Sequence, residues 1–184
     1  RGLGDVYKRQ IVHCVGLSLA MVLYAVGLTR AAGVAQLLVV LAAVLIIQPV
    51  LATVMGRSPR LTTATVAVIA GLLWVLALCA GDAISAAVGA YPRTITLVLL
   101  PAFLGAGLLQ LVTGVLHHLL PILTGARPNT TERTGYARLL LINLGGVLTL
   151  LGATVAGLIM MGIGLAANVI AVGRAIYLQK RLES

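Results

Sequence analysis

Residues 139–178 read LLLINLGGVLTLLGATVAGLIMMGIGLAANVIAVGRAIYL, forty residues whose only charge is Arg174. About 20 apolar residues at 1.5 Å each carry a helix across roughly 30 Å of hydrocarbon. The stretch is therefore two crossings, or one helix far too long for a bilayer. The basic residues decide between them. Gap by gap between apolar runs they fall as Arg1, Lys8 and Arg9; Arg30; Arg57 and Arg60; Arg93; Arg127, Arg133 and Arg138; none; Arg174, Lys180 and Arg181. Alternate gaps thus hold eleven and two. Lys and Arg in short loops stay on the cytoplasmic side, which places the eleven inside. One crossing over 139–178 would strand Arg174, Lys180 and Arg181 outside, whereas two return them. A hairpin is expected, with its turn between Gly152 and Gly157, where small residues permit a tight reversal.

The rest of the composition agrees. Sixty per cent of the 184 residues are hydrophobic and 9% charged, with a mean hydropathy of +1.11; a soluble domain is normally about 25% charged. The net charge of +9 does not imply nucleic acid, because the basic residues flank apolar spans instead of forming a stripe on a soluble face. They anchor topology and attract anionic lipid. Cys14 and Cys79 lie within apolar runs and form no CxxC pair, so neither a disulfide framework nor a zinc site is indicated.

The expected fold is an all-α integral membrane protein: a six-helix transmembrane bundle with kinked helices and a C-terminal helical hairpin. Its spans are 11–28, 34–55, 61–80, 94–120, 139–155 and 158–178, with a cytoplasmic tail at 179–184. Both termini are then cytoplasmic, and the location is a bacterial inner membrane. Residues 1–10, RGLGDVYKRQ, differ abruptly from the apolar run beginning at Ile11 and resemble an adapter-derived, non-native leader; the absence of an initiator Met leads us to expect a fragment. Tyr24, Tyr91, Tyr136 and Tyr177 fall near helix ends, where amphipathic rings favour the interface. Residues 80–93 are expected to form an outer loop containing Asp82, too apolar to be free of the interface, with Asp82 and Arg93 able to pair across it.

Helices associate in lipid through close packing and interhelical hydrogen bonds, so small and polar residues mark the faces that meet. Such stripes run through His13, Gly16, Ala20, Tyr24 and Gly27; through Gly107, Gln110, Gly114, His117 and Pro121; and through Gly157, Met161, Gly164, Asn168, Ala171 and Ala175. Asn143 adds a polar group at the start of the last hairpin. Pro49 and Pro101 inside spans each free a backbone carbonyl and bend a helix. His13 and His117 lie at the inner ends of their helices, at one depth. Two such imidazoles are candidate axial ligands for a haem b iron or a copper ion. The alternative for both is a structural role at the interface, where an imidazole costs little. His118 is turned about 100° from His117 and cannot share its centre. No Ser/His/Asp set, phosphate loop or paired carboxylate lies within the spans.

From Ser58 onward the chain resembles the C-terminal part of the multi-helix membrane domain of bacterial multicopper oxidase and copper nitrite reductase-like proteins. Ser58 and Arg60 precede a helix reading Ala70-Gly71-Leu72-Leu73-Trp74. Then Gln110, Gly114, Leu116, Leu119-Leu120-Pro121, Gly125 and Pro128 form a pattern like QxxxGxLxxLLPxxxGxxP, and Gly135, Arg138 and Asn143 open the last hairpin. The resemblance covers about two-thirds of the chain and does not extend to His117 and His118. It implies a membrane anchor and electron-transfer partner for a copper-binding redox domain. The HxH copper motifs of such domains do not occur within these 184 residues, so copper is expected only in sequence beyond them. The expected partners are the lipid bilayer and that copper domain or a quinol. A haem- or quinol-binding subunit of a respiratory oxidase and a small transporter subunit are the alternatives.

Overall fold

A computed structural model of the chain describes residues 3–57, 62–90, 92–124 and 133–183, and every regular element among them is helical. The helices are α1 (Leu3–Ala25), α2 (Thr29–Arg57), α3 (Thr63–Ala87), α4 (Pro92–Ala102), a π-helical segment (Phe103–Leu109), α5 (Gln110–Thr124), α6 (Arg133–Leu150) and α7 (Thr154–Glu183). Four apolar stretches are long enough to cross a membrane: Thr29–Pro49, Thr63–Ala87, Leu97–Leu119 and Thr154–Arg174. The apolar parts of α1 and α6, Gln10–Ala25 and Thr134–Leu150, are shorter. Several apolar helices of this kind are compatible with a multi-pass membrane protein.

Three helices end in the same way, and the reason is local. Gly27, Gly89 and Gly152 take φ of 80°, 79° and 89°, a left-handed conformation that only glycine enters without steric cost. After α6, Gly152 N–H donates to Thr149 O (3.2 Å) and Ala153 N–H to Leu148 O (2.9 Å); the ends of α1 and α3 repeat the pattern. These paired bonds satisfy carbonyls that would otherwise be left open at a helix C-terminus. Residues 139–178 are accordingly divided between α6 and α7 at a turn over 151–153, so the turn is shorter and earlier than the expected stretch from Gly152 to Gly157, and Gly157 itself lies within α7.

Contacts divide the chain into two compact units. Unit 1 is Arg1–Pro59 with Leu76–Leu99, and unit 2 is Arg60–Val75 with Leu100–Ser184; α3 contributes to both. In unit 1, α1 meets α2 where Gly16 faces Val39, and α2 meets α3 where Gly33 lies directly on backbone atoms of Ala83, Ala86 and Ala87. The buried hydrophobic residues there are mostly small: Ala20, Ala32, Ala35, Ala83 and Ala86, with Val39 and Leu78. In unit 2, Ala106, Ile142 and Met161 form the core, with Trp74 and Leu165 against it. A Cβ on Gly157 would fall 2.5 Å from Gly145 O, so the α6–α7 contact is made backbone to backbone.

One feature differs from the sequence reading, and two others add detail to it. First, α3 continues to Ala87, so residues 81–87 are helical and not a loop. Gly33 holds that turn against α2, and Ser85 Oγ bonds Gly81 O at 2.7 Å. Asp82 therefore stands in a helix, where it accepts from Gln36; the side chain of Arg93 lies outside the described residues. Second, Pro101 leads into a π-helical segment, while α2 runs unbroken past Pro49. Gln110 N–H closes the segment on both Gly105 O and Gly107 O. Third, of the tyrosines, Tyr136 and Tyr177 are exposed and Tyr24 bonds Gln36; Tyr91 is outside the described residues.

Burial is inverted relative to a water-soluble protein. Large side chains such as Leu151, Val155, Val88 and Met21 are exposed, while Gln110, Thr149, Asn168 and Arg138 are buried.

Candidate functional site

Unit 2 gathers its polar side chains where glycines let helices approach. A Cβ on Gly71 would lie 2.9 Å from Leu111 N, and one on Gly114 would lie 2.9 Å from Ala67 Cβ, so α3 and α5 cross with almost nothing between their backbones. Gln110, 0% exposed, sits at that crossing. Its Nε2 donates to Ala67 O (3.4 Å), and its Oε1 accepts from Asn143 Nδ2 (3.3 Å). The Asn143 amide also donates to Leu139 O (2.7 Å), and its Oδ1 accepts the Trp74 indole N–H at 2.7 Å. One chain of hydrogen bonds thus ties α3, α5 and α6. An apolar medium offers no water to replace these partners, which makes the chain directional as well as cohesive.

A second cluster joins α6 to α7. Arg138, 9% exposed, donates from Nε to Asn168 Oδ1 (2.8 Å) and from Nη1 to Thr134 Oγ1 (3.1 Å). Gly164 seats this contact, since a Cβ there would lie 2.7 Å from Ile142 Cγ1 and 3.0 Å from Arg138 O. Beside it is a recess lined by Thr63, Gly114, His117, Gly135, Arg138 and Asn168. It has room for about one water molecule. His117 Nδ1 lies 3.1 Å from Thr113 O in its own helix.

The sequence-selected residues are therefore distributed between the units. Gln110, Gly114, Asn143, Gly164 and Asn168 all lie in unit 2, at the two clusters. His13 belongs to unit 1 and His117 to unit 2. His13 is half-buried, and its Nδ1 has no hydrogen-bond partner among the described residues. Among the described residues no group of three or more His, Cys, Asp and Glu could hold a metal ion. Cys14 and Cys79 are free thiols.

Compared with known proteins, the chain matches no family model, no curated protein and no solved structure.

The bonding roles of two residues escaped the sequence reading. Arg138 counted there as a gap charge and as part of the resemblance; it is buried one turn into α6 with its guanidinium on Asn168. Trp74 entered only through the resemblance, yet its N–H anchors the Asn143 chain. The one available signal was that a Trp in an apolar run needs an acceptor for its indole N–H. The network's groups are neutral amides, an indole and a guanidinium, bonded mainly to one another and to backbone. Such a set holds helices in register.

Proposed function

We propose that this chain is the membrane-embedded part of a bacterial copper oxidase or nitrite reductase-like redox protein, anchoring a copper domain supplied by sequence beyond these residues and serving as its electron-transfer partner. One observation carries the reading. Gly71, Trp74, Gln110, Gly114, Arg138 and Asn143, on which the resemblance to that family rests, lie in the two linked clusters of unit 2. Ser58, Arg60, Gly125 and Pro128, which also carry it, lie outside the described residues. Polar groups spent on holding helices together suit an anchor better than a reaction centre. Reading the intact gene in both directions tests the proposal: cupredoxin-type HxH motifs in the same frame support it, and a complete gene without them rejects it.

The proposed topology has six crossings of a bacterial inner membrane with both ends inside. The apolar part of α1, 16 residues long, spans about 24 Å. Local thinning of the bilayer accommodates that deficit. With Arg174, Lys180 and Arg181 inside, an extracytoplasmic copper domain placed after Ser184 requires one further crossing. A cysteine introduced at Ala153 should react with a membrane-impermeant thiol reagent from the outer face; protection there together with reaction from the inner face overturns the topology.

A second reading, a haem- or quinol-binding subunit, is favoured by the unpartnered Nδ1 of His13. Purified protein without Soret absorbance eliminates its haem form.

A further inference from the structure

Asp82 is one of only four acidic residues in the chain and stands inside an apolar helix, where an ionisable group is costly and usually functional. Three helices of unit 1 converge on it. Tyr24 Oη on α1 donates to Gln36 Oε1 at 3.2 Å, and Gln36 Nε2 on α2 donates to Asp82 Oδ2 on α3 at 3.3 Å. The approach is fixed by Gly33, one turn before Gln36, which lies against the α3 backbone at Ala83, Ala86 and Ala87.

The chain of donation runs one way, from phenol to carboxamide to carboxylate, so Asp82 is held as an acceptor. A carboxamide, however, has a donor at one end and an acceptor at the other. Turning it over reverses the chain. A protonated Asp82 then donates its O–H to Gln36 Oε1, and Gln36 Nε2 donates to Tyr24 Oη. Both directions of the chain keep two hydrogen bonds; in the reversed one the Tyr24 O–H is released from Gln36, and Tyr24 is only half-buried.

We propose that Tyr24, Gln36 and Asp82 form a proton-binding relay in unit 1, in which a proton taken up by Asp82 is matched by reversal of the Gln36 carboxamide. The reaction is proton binding alone: the carboxylate and one proton from the aqueous phase give the carboxylic acid, and no electron moves. Other groups surround the relay. On α3 the free thiol of Cys79 lies one turn before Asp82. On α2 Arg30 lies beside Gly89, at the end of α3. From α4, Leu99 approaches Gly81 and is apolar. The inference goes beyond the anchoring role and does not depend on it.

The test is infrared difference spectroscopy of the full chain in lipid between neutral and acidic pH. The relay predicts a protonated-carboxyl C=O band that Asp82→Asn removes, accompanied by a change in the glutamine carboxamide band. Gln36→Leu should shift the carboxyl band and abolish the carboxamide change; Tyr24→Phe should keep the carboxyl band and shift the carboxamide one. A carboxyl region that Asp82→Asn leaves unchanged, or an Asp82-dependent component that Gln36→Leu leaves unmoved, overturns the proposal, the other three acidic residues being common to every variant. If Asp82→Asn fails to fold, the shift or constancy of the band in Gln36→Leu decides alone.

Discussion

The two units solve the same problem with different chemistry. Unit 2 brings backbones together at Gly71, Gly114, Gly145, Gly157 and Gly164 and fills the crossings with neutral amides, an indole and a guanidinium. Unit 1 relies on Gly16 and Gly33 and threads a single chain of side chains that ends on a carboxylate. Glycines supply proximity in both, since a Cβ at these positions would meet the neighbouring helix. What differs is whether the polar groups can change state. The Asn143 chain is built of neutral side chains, whereas the Tyr24 chain ends on the Asp82 carboxylate, for which we propose proton binding. A scaffold and a responsive element can therefore be separated by mutation.

The largest effect is expected at the α6–α7 contact. Gly157→Val puts methyl groups where Gly145 O and Thr149 already stand at 2.5 and 2.6 Å from a Cβ. Overpacking of this kind costs about 1–3 kcal/mol and more where backbone is struck; thermal melts followed by circular dichroism should show a large drop in Tm. Next comes Asn168→Ala, which removes an acceptor from the buried Arg138 guanidinium. A hydrogen bond to a charged group contributes about 1.5–3 kcal/mol, and the same melt reads it. Asn143→Leu removes the acceptor of Trp74 and the donor to Gln110, for a loss of about 1–2 kcal/mol. Because Trp74 is the chain's only tryptophan, this variant should also move the fluorescence emission.

Smaller effects sharpen the contrast. Tyr24→Phe in unit 1 breaks one interhelical bond between neutral groups and should cost about 0.6 kcal/mol, the average for such bonds in a membrane. At Gly162 a Cβ would meet nothing within 4 Å. Gly162→Ala should therefore be neutral or stabilise by roughly 0.4–1 kcal/mol through the unfolded chain. A loss there as large as at Gly157 would mean that glycine positions in unit 2 are interchangeable and that close approach is not what they provide.

Much of the architecture is legible because long apolar runs and the spacing of small residues stand plainly in the sequence. Apolar run length and basic gaps divide residues 139–178 into two helices, and three-to-four spacing selects a face of α7 on which Gly157, Met161, Gly164 and Asn168 are buried and Ala171 is half-buried, while the side chain of Ala175 lies outside the described residues. Which helix each residue meets is not legible. Arg138 looks like every other basic residue beside a span until Asn168, thirty positions away, is brought to it. The extension of α3 to Ala87 is equally hidden, since Asp82 interrupts the apolar run and its compensation by Gln36 is a tertiary event. The π-helical segment leaves no trace in the spacing of Gly107, Gln110 and Gly114. In the fold Met161 lies beside Gly105, and Val75 and Trp74 lie against Gly107.

An anchor for a copper-bearing redox domain should not hold the copper itself. Copper content settles this: membranes carrying the protein of the intact gene are set beside membranes carrying residues 1–184 alone. Stoichiometric copper is expected in the first, and membrane-inserted, copper-free protein in the second. Copper retained by residues 1–184, or none in the intact protein, would contradict the anchoring role.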